Sequence, residues 1–445
     1  MLALGLSFFS LISLAVLAVV YFFLISEKLN KVIVSILGAT VLIVMQVFRS
    51  TTATSQENAY HFISHNLDIL GFVIGMMVLI GIVRESGFFE AIAIWLVKAV
   101  KGKPQLLLVA FAYLTLFMTS LFSNIPTVLI LTPVLVVLIR TLKLPYLPYF
   151  FTLVVMANLG GAMTPISDPT TYYQAKTVGL SFVEVASNSG LIVMLLSVVS
   201  VAYALIIFRK ELAVVTTKEK EVAQFSPPAA IKDKRVLYKG LPILAGVILL
   251  MVFKEQIQKW FGIGLDNATL TIGGSFLAML IFHRKPKKVF RDLIDWEIIF
   301  FFIGLFVVVG ALEFTKLIDV LAEQLVHIAN GSVPVLLFFV SVGSGLISTF
   351  IDNVPYNITM VGAIQAMEKS GLVVYPLWWA LNLGTSIGGF GSPIAAACNV
   401  IAFGQAEKEE WKTGFFTYLK LAMPLVVINS LITFGFLWLR YFYLG

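Results

Sequence analysis

The chain has 445 residues, of which 59% are hydrophobic and 12% are charged, and its mean hydropathy is +0.96. This composition excludes a soluble globular protein and indicates a multi-pass protein embedded in a lipid bilayer. The net charge of +7 does not indicate nucleic-acid binding, because the basic residues gather in loops between apolar stretches.

Residue usage also limits the chemistry. A single cysteine, Cys398, excludes an intramolecular disulfide, and the four histidines are too scattered to form a metal cluster. The sequence contains no nucleotide-binding Walker A pattern and no hydrolase motif, so neither an ATP-driven pump nor an enzyme is supported. We therefore expect no cofactor other than a coupling ion.

Apolar stretches in chain order predict an all-α polytopic membrane protein, because a helical span needs about 20 residues and long alternating strands are absent. The full-length candidates are 3–25, 31–48, 68–83, 104–122, 188–208, 239–253, 267–283, 295–313, 331–350, 374–390 and 418–441. Shorter apolar pieces, predicted to be half-spans, are 127–140, 147–160, 356–368 and 393–404.

Basic loops predict the orientation of the chain in the membrane. Residues 1–65 read as an N-terminal helical hairpin whose turn, Glu27 to Lys31, carries two lysines. The longest polar segment, 209–239, reads as a linker, and the basic loop 283–291 follows two spans later. The positive-inside tendency places all three on the cytoplasmic side of the cell inner membrane.

An internal repeat divides the chain into two halves. The octet Thr119–Pro126 returns in the second half as Ser348–Pro355, and a one-residue slip aligns Gly160–Pro165 with Gly388–Pro393. Chance similarity between apolar stretches is the alternative, but it does not readily align Asn-x-Pro motifs. Because an external connector precedes one copy and a basic connector the other, we predict inverted repeats at 66–208 and 295–445, with 240–294 as connecting helices.

Polar and helix-breaking residues deep in apolar sequence predict the site. Glycine and proline interrupt helices, and freed carbonyls and helix N-termini then line a shared cavity. The alternative is that asparagines and small residues only tighten helix packing. The predicted substrate- and ion-binding residues are Asn124, Pro126, Thr127, Asn158, Gly160, Gly161, Thr164, Asp168, Asp352, Asn353, Asn382, Gly388, Gly389, Ser392 and Asn399.

Two acids stand out among these residues, because an ionisable group at membrane depth is costly unless it is functional. Asp168 and Asp352 are candidates to bind a proton or Na⁺, with Asn124 and Asn353 as further Na⁺ ligands. For Asp168, a helix N-cap is the alternative role. Hydroxyl groups in the same elements could also coordinate an ion, and for them the alternative role is a hydrogen bond back to a carbonyl of their own helix. These residues are Thr127, Thr164, Thr170, Thr385 and Ser392.

At these residues the chain resembles the ArsB/NhaD branch of the ion transporter superfamily, which also includes citrate and dicarboxylate carriers and the P protein. The matching motifs are Glu85–Glu90, Ser123–Pro126, Asn158–Pro169, Ile351–Pro355 and Gly388–Asn399. The resemblance implies a homodimer with a scaffold domain and a mobile transport domain that works by an elevator-like mechanism. It also implies that Asn124 and Asn353 lie at the tips of re-entrant hairpins.

The function expected from these features is a secondary active transporter coupled to H⁺ or Na⁺. Its substrate is expected to be a small inorganic ion or metalloid, and efflux of arsenite or antimonite is the most specific form of this expectation. A Na⁺/H⁺ antiporter is the alternative. A dicarboxylate or citrate carrier is less expected because Asp352 would repel a carboxylate, and a channel is a further alternative.

Overall fold

The computed structural model of the chain describes residues 7–26, 29–50, 53–101, 103–213 and 226–443, and all regular structure in these ranges is helical. Three helices precede the first half: α1 (Phe8–Ser26), α2 (Lys31–Val44) and α3 (Ser55–Ser64). The first half contains α4 (Leu67–Arg84), α5 (Phe88–Ala99), α6 (Pro104–Phe122), α7 (Asn124–Leu142), α8 (Tyr146–Gly161), α9 (Pro169–Val178) and α10 (Phe182–Ile207).

Between the halves lie α11 (Lys234–Phe261), α12 (Asn267–Ile281) and α13 (Pro286–Leu293). The second half contains α14 (Trp296–Phe314), α15 (Leu317–Ile328), α16 (Val333–Ser348), α17 (Asn353–Lys369), α18 (Tyr375–Gly389), α19 (Ala397–Lys408) and α20 (Phe415–Trp438). Parts of the predicted segments lie outside the described residues. They are 1–6, Glu27, Lys28 and 51–52 of the N-terminal hairpin, residue 102 of the first repeat, 214–225 of the linker and 444–445 of the second repeat.

Seven of the described helices are long and apolar enough to span a membrane: α4, α6, α7, α10, α11, α14 and α20. Helices α15 and α16 add an eighth span if this pair, bent by 114°, is counted as one. The prediction of a multi-pass membrane protein is confirmed.

Several span lengths were predicted wrongly. The stretches 31–48 and 267–283, predicted as full spans, contain the 14-residue helix α2 and the 15-residue helix α12. The stretch 127–140, predicted as a half-span, belongs to the 19-residue helix α7, which begins at Asn124 because Pro126 is tolerated in a first helical turn. The stretch 374–390, predicted as a full span, is the 15-residue helix α18, which ends at Gly389.

The order of helices repeats in the two halves. Five helices of the first half begin at one constant offset from their counterparts in the second half. The five pairs of first residues are Leu67 and Trp296, Phe88 and Leu317, Pro104 and Val333, Asn124 and Asn353, and Tyr146 and Tyr375. Helices α9 and α19, which begin at Pro169 and Ala397, follow the same offset after the one-residue slip. The repeat seen in the sequence is therefore a repeat of helices.

The helical hairpin before each half packs against the other half. Helix α2 packs on α14 and α12 packs on α4, with a glycine at each crossing. A Cβ atom on Gly75 of α4 would lie 2.6 Å from the backbone of Thr271, and one on Gly304 of α14 would lie 2.6 Å from the backbone of Ser35. Since these glycines are equivalent in the repeat, the repeat includes both hairpins, which lie outside the predicted ranges 66–208 and 295–445.

The turn between α4 and α5 holds the end of the linker. The backbone amide of Lys232 donates to the Ser86 carbonyl over 2.9 Å, and the Ala230 carbonyl lies where a Cβ on Gly87 would be. Arg284 forms an ion pair with Glu85 of the same turn. The described end of the linker, residues 230–232, and Arg284 of the loop 283–291 therefore lie on one side of the protein, and we call this side the basic face.

Candidate functional site

Both hairpin tips and both unwound loops meet around one small cavity. The tips are Ser123, between α6 and α7, and residues 349–352, between α16 and α17. The loops, 162–168 and 390–396, follow α8 and α18. The cavity, of about 30 Å³, is lined by Asn124, Asp168, Asp352 and Asn353, together with Lys31 and apolar side chains.

We call Asn124, Asp168, Asp352 and Asn353 the carboxylate site. These residues were predicted from sequence and come from three places in the chain: the start of α7, the first unwound loop, and the adjacent pair Asp352 and Asn353 at the start of α17. The structure brings these three places together. A cavity needs at least about 10–15 Å³ to hold a water molecule, so this one is large enough for one water or a small ion. Two carboxylates and two amides form an oxygen-rich set of the kind that binds hard cations.

Asp168 is both a helix N-cap and a member of the carboxylate site. Its Oδ1 atom accepts hydrogen bonds from the Thr170 amide at 2.8 Å and the Thr170 hydroxyl at 2.6 Å. Its Oδ2 atom accepts a hydrogen bond from the Asn124 side-chain amide. The side chain is 4% exposed. Asp168 therefore caps α9, which is the alternative role considered above, and also lines the cavity.

Asp352 caps α17, since its Oδ1 atom accepts a hydrogen bond from the Val354 amide at 3.0 Å. The repeat places Ser123 at the position equivalent to Asp352, and Ala396 at the position equivalent to Asp168. Each half therefore contributes one acid, from the loop in the first half and from the hairpin tip in the second. The two acids meet only because the halves face each other.

Two asparagines bind the halves together. The side-chain amide of Asn158, on α8, donates to the Asn399 side-chain oxygen at 2.9 Å. The Thr171 hydroxyl on α9 also donates across the halves, to the Asn382 side-chain oxygen of α18 at 2.8 Å. Thr171 and Asn399 occupy equivalent positions next to equivalent glycines. The Thr171 hydroxyl shares its one hydrogen between Asn382 and the Gly161 carbonyl, and the Asn399 side-chain amide donates to the Gly389 carbonyl.

Asn158 and Asn382 are not equivalent in the repeat, although both lie on the matching helices α8 and α18. The offset that aligns Gly160 with Gly388 places Asn158 opposite Ser386, one turn further along α18 than Asn382. The side-chain oxygen of Asn158 is buried and has no hydrogen-bond partner among the described residues. It lies against Gly389, so it is a free acceptor close to the carboxylate site.

The predicted glycines fall into two types. A Cβ on Gly160 would lie 2.7 Å from the Leu116 carbonyl oxygen, and one on Gly388 would lie 2.8 Å from that of Gly345. These two glycines allow close helix packing and do not face the cavity.

The second type faces side chains of the site. A Cβ on Gly161 would lie 3.2 Å from the Cβ of Asp168, and one on Gly389 would meet the side chain of Asn158. These two glycines leave room for the polar groups around the cavity.

The predicted hydroxyls bond to protein atoms. Thr164 donates to the Ser120 carbonyl and Ser392, its equivalent, to the Thr349 carbonyl, both at 2.6 Å. These two bonds tie each unwound loop to the hairpin of its own half. Thr127 and Thr385 donate to carbonyls one helical turn earlier, which is the back-bonding alternative. Pro126 lies in the first turn of α7.

Three residues of this region were missed in the sequence. Thr171 has no local signal besides its alignment with Asn399. Ser167 donates to the Gly161 carbonyl at 2.6 Å and holds the first unwound loop closed. Lys31 was interpreted only as part of a basic turn that sets orientation, but it lines the cavity.

Two larger cavities approach this region from opposite sides. A cavity of about 420 Å³ opens at the basic face and is lined by Lys31, Asp295, Glu297 and Asp352, among others. Another, of about 310 Å³, includes Asp68, Lys176, Asp266 and Pro165 of the first unwound loop. We call them the basic-face vestibule and the opposite vestibule. Water can therefore approach the unwound helices from both sides.

Comparison with known proteins gives consistent matches over most of the chain. A family model described as a citrate transporter, CitMHS, matches residues 21–384. A 46 kDa membrane protein of Mycobacterium leprae is 27% identical over 446 residues, which cover 97% of this chain and 99% of that protein.

Two further relatives come from other organisms. An uncharacterized transporter of Synechocystis is 26% identical, covering 97% of this chain and 98% of that protein. The human P protein is 23% identical over 98% of this chain and 60% of its own length. All of these matches extend across the two halves and the carboxylate site.

Proposed function

The chain belongs to the citrate transporter family CitMHS and is a secondary transporter, and we propose that Asp168 and Asp352 hold its coupling cation, Na⁺ or H⁺. The observation that carries this proposal is that both acids line one cavity of about 30 Å³. Two carboxylates in so small a space repel each other unless a cation or a shared proton neutralises one of them.

The proposed substrate is a small inorganic ion or metalloid, and arsenite or antimonite efflux is the most specific form of the proposal. The charges around the cavity support it. Among the described residues that line the carboxylate site and the basic-face vestibule, four are acidic and one, Lys31, is basic. A free tricarboxylate such as citrate, which the family name suggests, would be repelled by these acids.

A Na⁺/H⁺ antiporter is the second candidate, favoured by the same pair of acids. In that case Asp168 and Asp352 would bind Na⁺ and protons in turn, with no further substrate. The ArsB/NhaD resemblance is consistent with either candidate, because the motifs that carry it are those that form the carboxylate site.

The proposed mechanism is elevator-like alternating access in a homodimer of the inner membrane. Its support is the position of the carboxylate site, whose tips and loops face Lys31 of α2 and Ile298 and Phe301 of α14. Movement of the tips and loops past α2 and α14 would carry the site from the basic-face vestibule to the opposite one.

A growth-rescue panel in sensitive bacterial cells tests the substrate. The full chain is expressed, and tolerance to arsenite, antimonite, Na⁺ and Li⁺ is scored separately, with the Asp352→Asn variant as the inactive control. Rescue from arsenite or antimonite supports the metalloid proposal. Rescue from Na⁺ and Li⁺ alone contradicts it and supports the antiporter.

Counterflow in proteoliposomes separates a carrier from a channel. A carrier accelerates labelled uptake when unlabelled substrate is present on the opposite side, because the loaded site returns faster. Absence of this stimulation at a flux well above that of empty vesicles would contradict alternating access.

A further inference from the structure

Lys31 is placed to interact with the carboxylate site. It is the first residue of α2 and lines both the small cavity, with Asp168 and Asp352, and the basic-face vestibule, with Asp352. Its ammonium group lies 5.3 Å from the centroid of the Phe301 ring of α14, a distance typical of a cation–π contact. Packing of α2 on α14 thus holds the ammonium group at the edge of the site.

The charges around Lys31 are otherwise negative. Asp168 and Asp352 line the cavity, and Asp295 and Glu297 line the vestibule outside it. Asn30 next to Lys31 donates to Glu297 at 3.4 Å. The two acids at the cavity carry a charge of about −2 when both are ionised, and Lys31 brings the sum of the three groups to about −1.

Lys31 and the two acids belong to different groups of helices. Lys31 is fixed to α2, and α2 packs on α14. The acids belong to the second hairpin tip and the first unwound loop. Any relative movement of these groups changes the separation between the ammonium group and the carboxylates.

We propose that Lys31 is a built-in competitor of the coupling cation, offsetting one of the two negative charges of the carboxylate site while it is empty and giving way when the cation binds. This inference rests on the proposed function, since it deepens the same site. The competition lowers the affinity for the cation, so that the cation is released at the basic face. Because Lys31 belongs to α2, the competition also means that the attraction between the acids and α2 is weaker when the cation is bound than when the site is empty.

The pairing is tested with the purified full chain in a buffer in which choline replaces Na⁺. Melting temperatures of the wild type, Lys31→Gln, Asp352→Asn and the double variant form a double-mutant cycle. We expect non-additivity: the melting temperature of the double variant should be higher than the value calculated by adding the two single-variant shifts to the wild-type value. Additive shifts would overturn the pairing whatever the coupling ion.

The competition is tested by titrating Na⁺, Li⁺ and protons against the melting temperature. Removing a unit charge beside the site should lower the cation concentration for half-maximal stabilisation at least about tenfold in Lys31→Gln. Lys31→Arg keeps the charge and should resemble the wild type. Lys287→Gln, an exposed change on the same face, is the matched control, and equal affinities in Lys31→Gln and Lys287→Gln would overturn the competition.

Failure of the proposed function gives a different result. If Na⁺, Li⁺ and pH leave the wild-type melting temperature unchanged while the cycle remains non-additive, cation coupling at this site is wrong and the Lys31–Asp352 pairing is supported.

Discussion

The side-chain amide of Asn158 donates a 2.9 Å hydrogen bond to the side-chain oxygen of Asn399, and both residues are buried. This bond joins the end of α8 in the first half to the start of α19 in the second. It therefore connects the two unwound regions around the carboxylate site. A buried amide that loses its partner retains the full cost of its desolvation.

Asn158→Ala should therefore destabilise the protein by about 1–3 kcal/mol, because the Asn399 oxygen loses this donor. The measurement is the midpoint of thermal unfolding in detergent. Gln324→Ala, an exposed change on α15, is the control and should shift the midpoint little. An Asn158→Ala midpoint equal to that of the control would show that the bond between the halves contributes nothing.

Asp168→Asn and Asp352→Asn should each reduce coupled transport to the background of empty vesicles while leaving expression intact. Asparagine is a good N-cap, so α9 and α17 keep their first turns, but the negative charge that attracts a cation is lost. Ion-gradient-driven flux in proteoliposomes measures the effect.

The control for these variants is Asp319→Asn, which removes an exposed acid at the start of α15. It should transport like the wild type. Near-normal coupled flux in both Asp168→Asn and Asp352→Asn would exclude these acids as the coupling site.

Gly160→Ala and Gly388→Ala should destabilise the protein, because each new methyl group would meet a hairpin carbonyl at less than 3 Å. Overpacking of this kind costs about 1–3 kcal/mol. Gly246→Ala in α11 is the matched control, since nothing lies within 4 Å of its Cβ position. In the control, alanine should be neutral or stabilise the helix by up to about 1 kcal/mol. Equal melting temperatures for all three variants would contradict close packing at these glycines.

Gly87→Ala should release the linker from the α4–α5 turn. Gly87 has a φ angle of +77°, and its Cβ position is occupied by the Ala230 carbonyl. Gly262→Ala carries the same kind of backbone strain, about 1–2 kcal/mol, at φ +69° in open space. Trypsin should therefore cleave within 209–239 faster in Gly87→Ala than in Gly262→Ala, and equal rates would show that the docking is not needed to protect the linker.

Local signals in the sequence pointed to the four residues that the structure groups around one cavity, while their role in binding stays a prediction. Asn124, Asp168, Asp352 and Asn353 were found because polar residues beside helix-breaking prolines are rare in apolar sequence, and all four line one cavity. The sequence did not distinguish the glycines that allow close helix packing from those that face the cavity. Gly160 and Gly161, for example, are adjacent and differ only in which neighbour each faces. The distinction depends on the approach of α6 to α8, which no local pattern encodes.

By itself, the sequence determined the membrane class, the repeat and the positions at which the helices break, because hydropathy, glycine and proline act over a few residues. The tertiary structure alone decided that α2 and α12 pack against the halves distant from them in the chain. It also decided that Lys31, near the start of the chain, shares a cavity with Asp352 of the second half. Such pairings depend on which apolar faces fit together at long range, and close packing between distant helices is a property of their three-dimensional arrangement rather than of any single segment.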